Sequence, residues 1–234
     1  MSNKAFERTE LLLGQEAQER LRAAHVAVFG VGGVGGYAVE ALARAGIGAL
    51  DLFDNDTVSE SNLNRQLHAL HSTVGQPKVA VAAARVRDVN PDCRVSANQL
   101  FYLPENADSV DLSQYDYIID AIDTVAAKLE LARRAKALGV PIICSMGTGN
   151  KLDPARFCIA DIEKTTVCPL ARTMRLLCRK NGIRHLKVLY STEEPRGNTL
   201  ADGHGRHVPG SISFVPAVAG LMLAGEVIRT IAGV

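Results

Sequence analysis

The 234-residue chain has no tryptophan, and aromatic residues make up only 5% of it. With 47% hydrophobic and 22% charged residues the composition is still that of an ordinary globular protein. No two cysteines have CxxC spacing. Cys93, Cys144, Cys158, Cys168 and Cys178 are an odd set with gaps of 51, 14, 10 and 10 residues, which excludes the common zinc patterns. The opening MSNKAFERTE has no apolar run, so no secretory signal is expected, and a reducing cytoplasm is the expected compartment. With 20 Gly and 9 Pro the chain is too poor in both to be low-complexity or collagen-like. One uncharged stretch runs from Val208 to Gly225, and Pro209, Ser211, Ser213 and Pro216 interrupt it. A buried helix is expected there and no membrane span.

Charge of one sign is missing from one segment. Residues 164–187 hold seven Lys/Arg and no acid, although the whole chain has a formal net charge of only +1. Arg172, Arg175 and Arg179 recur at i, i+3 and i+7, which is one helix face. The face is either merely solvated or a phosphate-binding patch for a nucleic acid, with Lys180 beside it.

The pattern along the chain predicts a helix from Phe6 to Ala24 and a strand from His25 to Phe29. The turn Gly30-Val31-Gly32-Gly33-Val34-Gly35 follows, then a helix to Ala45. Further strands are expected at Ala49 to Asp54, Arg94 to Asn98, Tyr117 to Asp120 and Pro141 to Ser145, with helices at Val79 to Asp88 and Val125 to Leu138. This alternation predicts an α/β, Rossmann-like doubly wound, mainly parallel sheet. A C-terminal extension should add short antiparallel strands at Arg156 to Ala160 and Lys187 to Ser191, a loop from Glu193 to Ser213 and a helix from Val218 to Ile231. The expected organisation is a single domain with a nucleotide-binding core at residues 25–149 and an extension at residues 150–234.

Glycines between a strand and a helix let backbone N–H groups approach phosphate oxygens at a helix N-terminus. Gly30, Gly32, Gly33 and Gly35 occupy that position, and Asp54 lies 24 residues after Gly30, where an acid can accept from ribose hydroxyls. Alone, this pattern also fits an NAD-dependent oxidoreductase. The residues that follow favour a triphosphate. Asp54-Asn55-Asp56 leads into Ser61-Asn62-Leu63-Asn64-Arg65-Gln66, and Lys78 opens the next helix. A guanidinium and an ammonium suit phosphate oxygens. Asp123 follows the fourth strand, where a carboxylate can hold Mg²⁺ or cap the next helix, and Asp120 is a possible helper.

This combination resembles the ubiquitin-activating-type adenylating enzymes over nearly the whole chain. The resemblance rests on Arg8 in RTELL, GVGGVG at 30–35, DNDTVSESNLNRQ at 54–66, Lys78 and AIDT at 121–124. It implies ATP on the glycine turn and Asp54, with Asp56 and Gln66 in the same site. Asn62, Arg65 and Lys78 would be on phosphates, and Mg²⁺ on Asp123. It also implies a homodimer in which Arg8 reaches the partner's site. SMGTGNKLDPARF at 145–157, DIEKTTVCPLAR at 161–172, VLYSTEEP at 188–195 and SISFVPAVAGLMLAGEVI at 211–228 resemble one branch, the tRNA threonylcarbamoyladenosine dehydratases. That branch implies ATP-dependent activation of a carboxylate on tRNA followed by ring closure. It makes tRNA a partner, with a sulfur-relay or cysteine desulfurase protein as a further candidate. Here Cys168 stands where many of those relatives carry Asp. A packed thiol is expected there rather than a nucleophile. His204 and His207 lie in the Gly-rich loop without a third metal ligand. Two other readings stay open: adenylation of a sulfur carrier's C-terminal glycine, and a non-catalytic scaffold.

Overall fold

In a computed structural model, residues 4–197, 199–201 and 207–234 are described. The expected first helix is two helices, α1 (Glu7–Leu13) and α2 (Gln15–Ala23). The break is Gly14, whose φ of +87° no helix can contain. A 3.6-residue period continues across such a break, so the pattern did not reveal it.

Strands β1 (His25–Phe29), β2 (Ala49–Phe53), β3 (Arg94–Asn98), β4 (Tyr117–Asp120) and β5 (Ile142–Ser145) alternate with helices α3 (Gly35–Ala45), α4 (Lys78–Val89) and α5 (Val125–Leu138). After β5 come β6 (Phe157–Asp161), α6 (Pro169–Lys180), β7 (Lys187–Ser191), the hairpin β8 (Thr199–Ala201) and β9 (His207–Pro209), and α7 (Phe214–Ala232). The main sheet has the order β3-β2-β1-β4-β5-β7-β6. Every pairing is parallel except β6 with β7. The strands of the C-terminal third thus continue the main sheet: β7 lies parallel beside β5, and only the edge strand β6 runs against it. Short runs such as Val26–Phe29 are apolar throughout because a parallel sheet is covered on both faces.

One face of the sheet is covered by α3, α4 and α7, whose buried Val39, Leu42, Val79, Val86, Leu223 and Val227 form one apolar cluster. The other is covered by α5 and α6 through Leu131, Ala135, Met174 and Cys178. By length and composition α7 would suffice to cross a membrane. Here it is a packed helix, with Val215, Pro216, Ala219, Gly220, Leu223, Ala224, Val227 and Ala232 buried. A Cβ on Gly220 would lie 2.2 Å from Val34 O, so only glycine lets α7 lie against the start of α3. All five cysteines are free, and only Cys158 is not fully buried.

The strand order reverses between β1 and β4, which leave the sheet centre in opposite directions. In open parallel sheets a crevice forms at that point outside the carboxyl ends of the strands. Phe29 and Phe53 end β1 and β2 and stack with ring centroids 4.3 Å apart. Tyr102 packs edge-on against Phe29 at 5.0 Å. These rings form an apolar floor under the crevice.

Candidate active site

The crevice is a cavity of about 530 Å³. Gly30, Gly32, Gly33, Asp54, Asp56, Asn62, Arg65, Gln66, Lys78 and Asp123 all line it. Two of the expected residues do not. Gly35 is buried at the start of α3, and a Cβ there would lie 1.8 Å from Gly30 O. It is needed for the turn to close, not for a ligand. Arg8 is exposed on α1, outside the cavity of its own chain.

The turn itself is set by Gly30, at φ +85°, where a Cβ would lie 2.7 Å from Ala121 O. Gly32 is different. The nearest atom to a Cβ there is Gln66 Nε2 at 3.7 Å, so this glycine leaves space on the cavity side. Asp54 fastens the turn to the end of β2. Its Oδ2 accepts from Val31 N at 2.7 Å and its Oδ1 from Asp56 N at 2.9 Å. Each oxygen retains acceptor capacity for a ribose hydroxyl.

The basic groups are held in different ways. Lys78 is the first residue of α4, almost fully buried, with Nζ 2.7 Å from Asp56 Oδ2. Asp56 itself is exposed, so it positions this ammonium at the cavity wall. Arg65 uses one guanidinium nitrogen, Nη1, to donate to Ser61 O and Asn64 Oδ1, both at 2.8 Å. Asn62 is buried and its Oδ1 accepts from Ser59 N at 3.1 Å. Gln66 is buried with Oε1 unpartnered among the described residues. His68 lies behind the turn, 3% exposed, and burial first and the Lys78 charge second push its pKa down to about 4.

Asp123 is exposed in the segment between β4 and α5. It does not cap α5. The N-cap is Thr124, which makes no side-chain capping bond. No lysine or arginine pairs with Asp123 within 4.0 Å among the described residues. Its neighbour Asp120 has a different task. Asp120 and Lys128 are both fully buried and pair at 2.9 Å. Lys128 Nζ also donates to Ile122 O at 3.0 Å, and Ile122 N donates to Asp120 Oδ1 at 3.1 Å. The helper role suggested for Asp120 therefore gives way to a structural clamp on the segment that carries Asp123. No group of three or more His, Cys, Asp or Glu among the described residues is arranged to hold a metal. A rim carboxylate with no cationic partner among the described residues fits Mg²⁺ in the manner that ion prefers, with one protein carboxylate, waters and phosphate oxygens.

Sequence reasoning missed several lining or supporting groups. Leu100, Phe101 and Tyr102 wall the cavity, and Thr148 closes it from the β5 side. The available signal was their place just beyond the carboxyl ends of β3 and β5. Lys128 gave no signal, since a lysine on a helix reads as surface. The segment after Thr148 is tied down by Glu193, whose carboxylate accepts from Leu152 N and Asp153 N, while Lys151 Nζ donates to Glu193 O. Cys168 is buried (2% exposed) at the N-cap of α6, a packed thiol as expected. His204 lies outside the described residues, as does the side chain of His207.

The basic face needs one correction. Arg172, Arg179 and Lys180 are exposed on α6, but Arg175 is not free. Its Nη1 donates to both the carbonyl and the hydroxyl oxygen of Thr165 at 2.6 Å. Helical spacing put Arg175 on the same face, and the loop before α6 then folded over it.

A glycine turn, an acid and two cations lie together at a sheet switch point, and the class of protein that fits them is an ATP-using adenylating enzyme with a Rossmann-like fold. The chain belongs to the ThiF family, whose model matches residues 6–234. It is 46% identical over 235 residues to the tRNA threonylcarbamoyladenosine dehydratase of Bacillus subtilis, covering 95% of this chain and 92% of that one. The Escherichia coli protein of that name is 42% identical over 170 residues, 73% of this chain and 63% of that one. The crystal structure of E. coli tRNA N6-threonylcarbamoyladenosine dehydratase in complex with ATP superposes with a TM-score of 0.88 at 34% identity, covering 98% of this chain and 94% of that chain. E. coli MccB with ATP, at 20% identity and a TM-score of 0.70, shares the fold.

Proposed function

We propose that the chain uses ATP to adenylate the carboxylate of threonylcarbamoyladenosine in tRNA and then closes a ring within the same nucleoside, with net loss of water. The observation that carries this reading is the convergence of Gly32, Asp54, Arg65, Lys78 and Asp123 on one cavity. The similarity to dehydratases over 95% of the chain supports the choice of substrate.

A carboxylate resists attack because its leaving group would be oxide. Its oxygen attacks the α-phosphorus of ATP, the bond to the β-phosphate oxygen breaks, and pyrophosphate leaves. A nitrogen of the same nucleoside then attacks the acyl carbon and AMP departs. That attack is intramolecular, so proximity supplies much of its rate. In this reading the glycine turn cradles phosphates on its N–H groups, and Asp54 accepts from the ribose. Asn62, Gln66, Arg65 and Lys78 face the phosphate chain, where fixed cations stabilise developing charge. Asp123 would hold Mg²⁺, which supplies further neutralisation of the phosphates.

The proposal treats residues 25–149 as the nucleotide-binding core and residues 150–234 as the substrate and dimer-forming part of one unit. Arg8, exposed on α1, would complete the site of the second subunit in a homodimer. Arg172, Arg179 and Lys180 would meet tRNA phosphates. A cytoplasmic setting goes with a tRNA substrate and five free thiols. A sulfur-relay or cysteine desulfurase protein would be an accessory partner only.

The test is ATP-dependent pyrophosphate release with tRNA carrying the threonylcarbamoyl group, against tRNA lacking it, with mass analysis of the nucleosides. Release with loss of one water mass is expected. Arg65→Ala and Asp123→Ala should abolish it while leaving folding intact. Release that depends instead on a Gly-Gly-ending carrier protein would overturn the substrate and keep the ATP site.

A further inference from the structure

A second concavity, of about 340 Å³, lies beside the exposed face of α6. Its floor is apolar: Ile162, Cys178 and Ile183 are all buried. Its rim carries Leu176, which is 61% exposed, together with Arg179 and Arg184. A leucine between guanidinium groups is not what a merely solvated face calls for, although single exposed leucines are common on protein surfaces. Nor does it serve double-stranded RNA, which is recognised through phosphates and 2′-hydroxyls. An apolar floor with a cationic rim suits an unstacked base with its phosphates on either side.

The charge around this concavity is one-sided. Residues 164–187 hold seven basic side chains and no acid. The one acid at the rim, Glu163, pairs with Arg184 at 3.2 Å, and both side chains are substantially exposed. Such a pair contributes little and exchanges readily for a phosphate contact. Arg175 is fixed to Thr165 and serves as a rigid wall.

The concavity is also near the cavity that holds the reacting groups. A Cβ on Gly147 would lie 3.7 Å from Cys168 Sγ and 3.9 Å from Leu170 Cβ, at the start of α6. Thr148, the next residue, lines the ATP cavity. From Leu170 to Leu176 the helix rises by about 9 Å. One RNA strand can therefore reach both places.

We propose that this concavity receives a single unpaired nucleobase of the tRNA strand close to the nucleotide being activated, with adjoining phosphates on Arg172, Arg179 and Lys180. The inference rests on the tRNA reading above and adds a base-specific contact to it.

Leu176→Lys separates base docking from simple charge attraction. Position 176 is mostly exposed, so the variant should fold, and unchanged ATP affinity would show that it has. The probe is a synthetic tRNA stem-loop RNA with an unpaired loop, followed by fluorescence anisotropy with the full chain. Base docking predicts binding about 5- to 30-fold weaker, although the variant gains a positive charge. The loss should vanish against an RNA made abasic at one loop position. Equal or tighter binding by Leu176→Lys, with normal binding by the unaltered protein, would overturn the base pocket alone. Failure of the unaltered protein both to bind this RNA and to release pyrophosphate with modified tRNA would overturn the tRNA reading as well.

Discussion

Removing the Lys128 ammonium should cost more stability than any other single lysine substitution in this chain. Lys128 and Asp120 are both fully buried, and their charges are 2.9 Å apart. Lys128→Met keeps the length of the side chain but leaves the Asp120 carboxylate buried without its cation. Breaking one side of such a pair costs about 3–5 kcal/mol. The lost bond to Ile122 O belongs to the same event and is not added to it. For a chain of this length, about 2–4 °C is lost per kcal/mol, so the melting temperature should fall by about 6–20 °C. The decisive comparison is the double variant Lys128→Met/Asp120→Asn, which removes both charges and keeps an acceptor for Ile122 N. It should recover about 1–3 kcal/mol relative to the sum of the single variants, measured by denaturant unfolding at pH 7. A melting temperature within 2 °C of the unaltered protein for Lys128→Met, or strict additivity in the cycle, would refute the clamp. Because the clamp holds the segment carrying Asp123, the surviving Lys128→Met fold should also need more Mg²⁺ for half-maximal pyrophosphate release.

Other consequences can be checked separately. Gly35→Ala should fail to give a native fold, because its Cβ would lie 1.8 Å from Gly30 O, whereas Gly32→Ala, with 3.7 Å to the nearest atom, should keep its melting temperature and lose ATP affinity by calorimetry. Burial and Lys78 lower the His68 pKa to about 4, so the unfolded chain takes up this proton first as pH falls. Stability should therefore drop by about 3 kcal/mol between pH 6.5 and 4 from this residue, and His68→Gln should flatten that part of the pH–stability curve; an unchanged curve would dismiss the assignment. Glu130, held down to about pKa 2 by its bonds to Arg133 and Arg134, acts lower. Its contribution is present above the ordinary carboxylate range and is lost as pH falls towards 2, and Glu130→Gln should remove that acid-labile part. Mixing inactive Arg8→Ala with inactive Asp123→Ala protein should restore pyrophosphate release, since a mixed dimer would hold one intact site; no recovery after subunit exchange would exclude the shared site.

The sequence determined the parallel part of the sheet from β1 to β5, while only the tertiary structure showed that β7 and β6 extend it. Runs such as Tyr117–Asp120 and Ile142–Ser145 are too short and too apolar for anything but buried parallel strands, and the helices between them force right-handed crossovers. It also placed the residue types of the main cavity, because a glycine turn, an acid, an arginine and a lysine in that order read as a nucleotide site. Tertiary structure decided what each polar group is free to do. Asp120 and Asp123 are three residues apart and look alike in the sequence. One is buried under Lys128 and the other faces the cavity, since the chain turns outward between them. Arg175 and Arg179 share a helix face by spacing, but only the loop carrying Thr165 shows that one of them is spoken for. The same holds for Gly14, where a single backbone angle divides what hydrophobic period reads as one helix. Period and motif report which faces are apolar and which residue types are present. They do not report which long-range neighbour takes up a charge or a hydrogen bond, and that partner exists only once the sheet has closed.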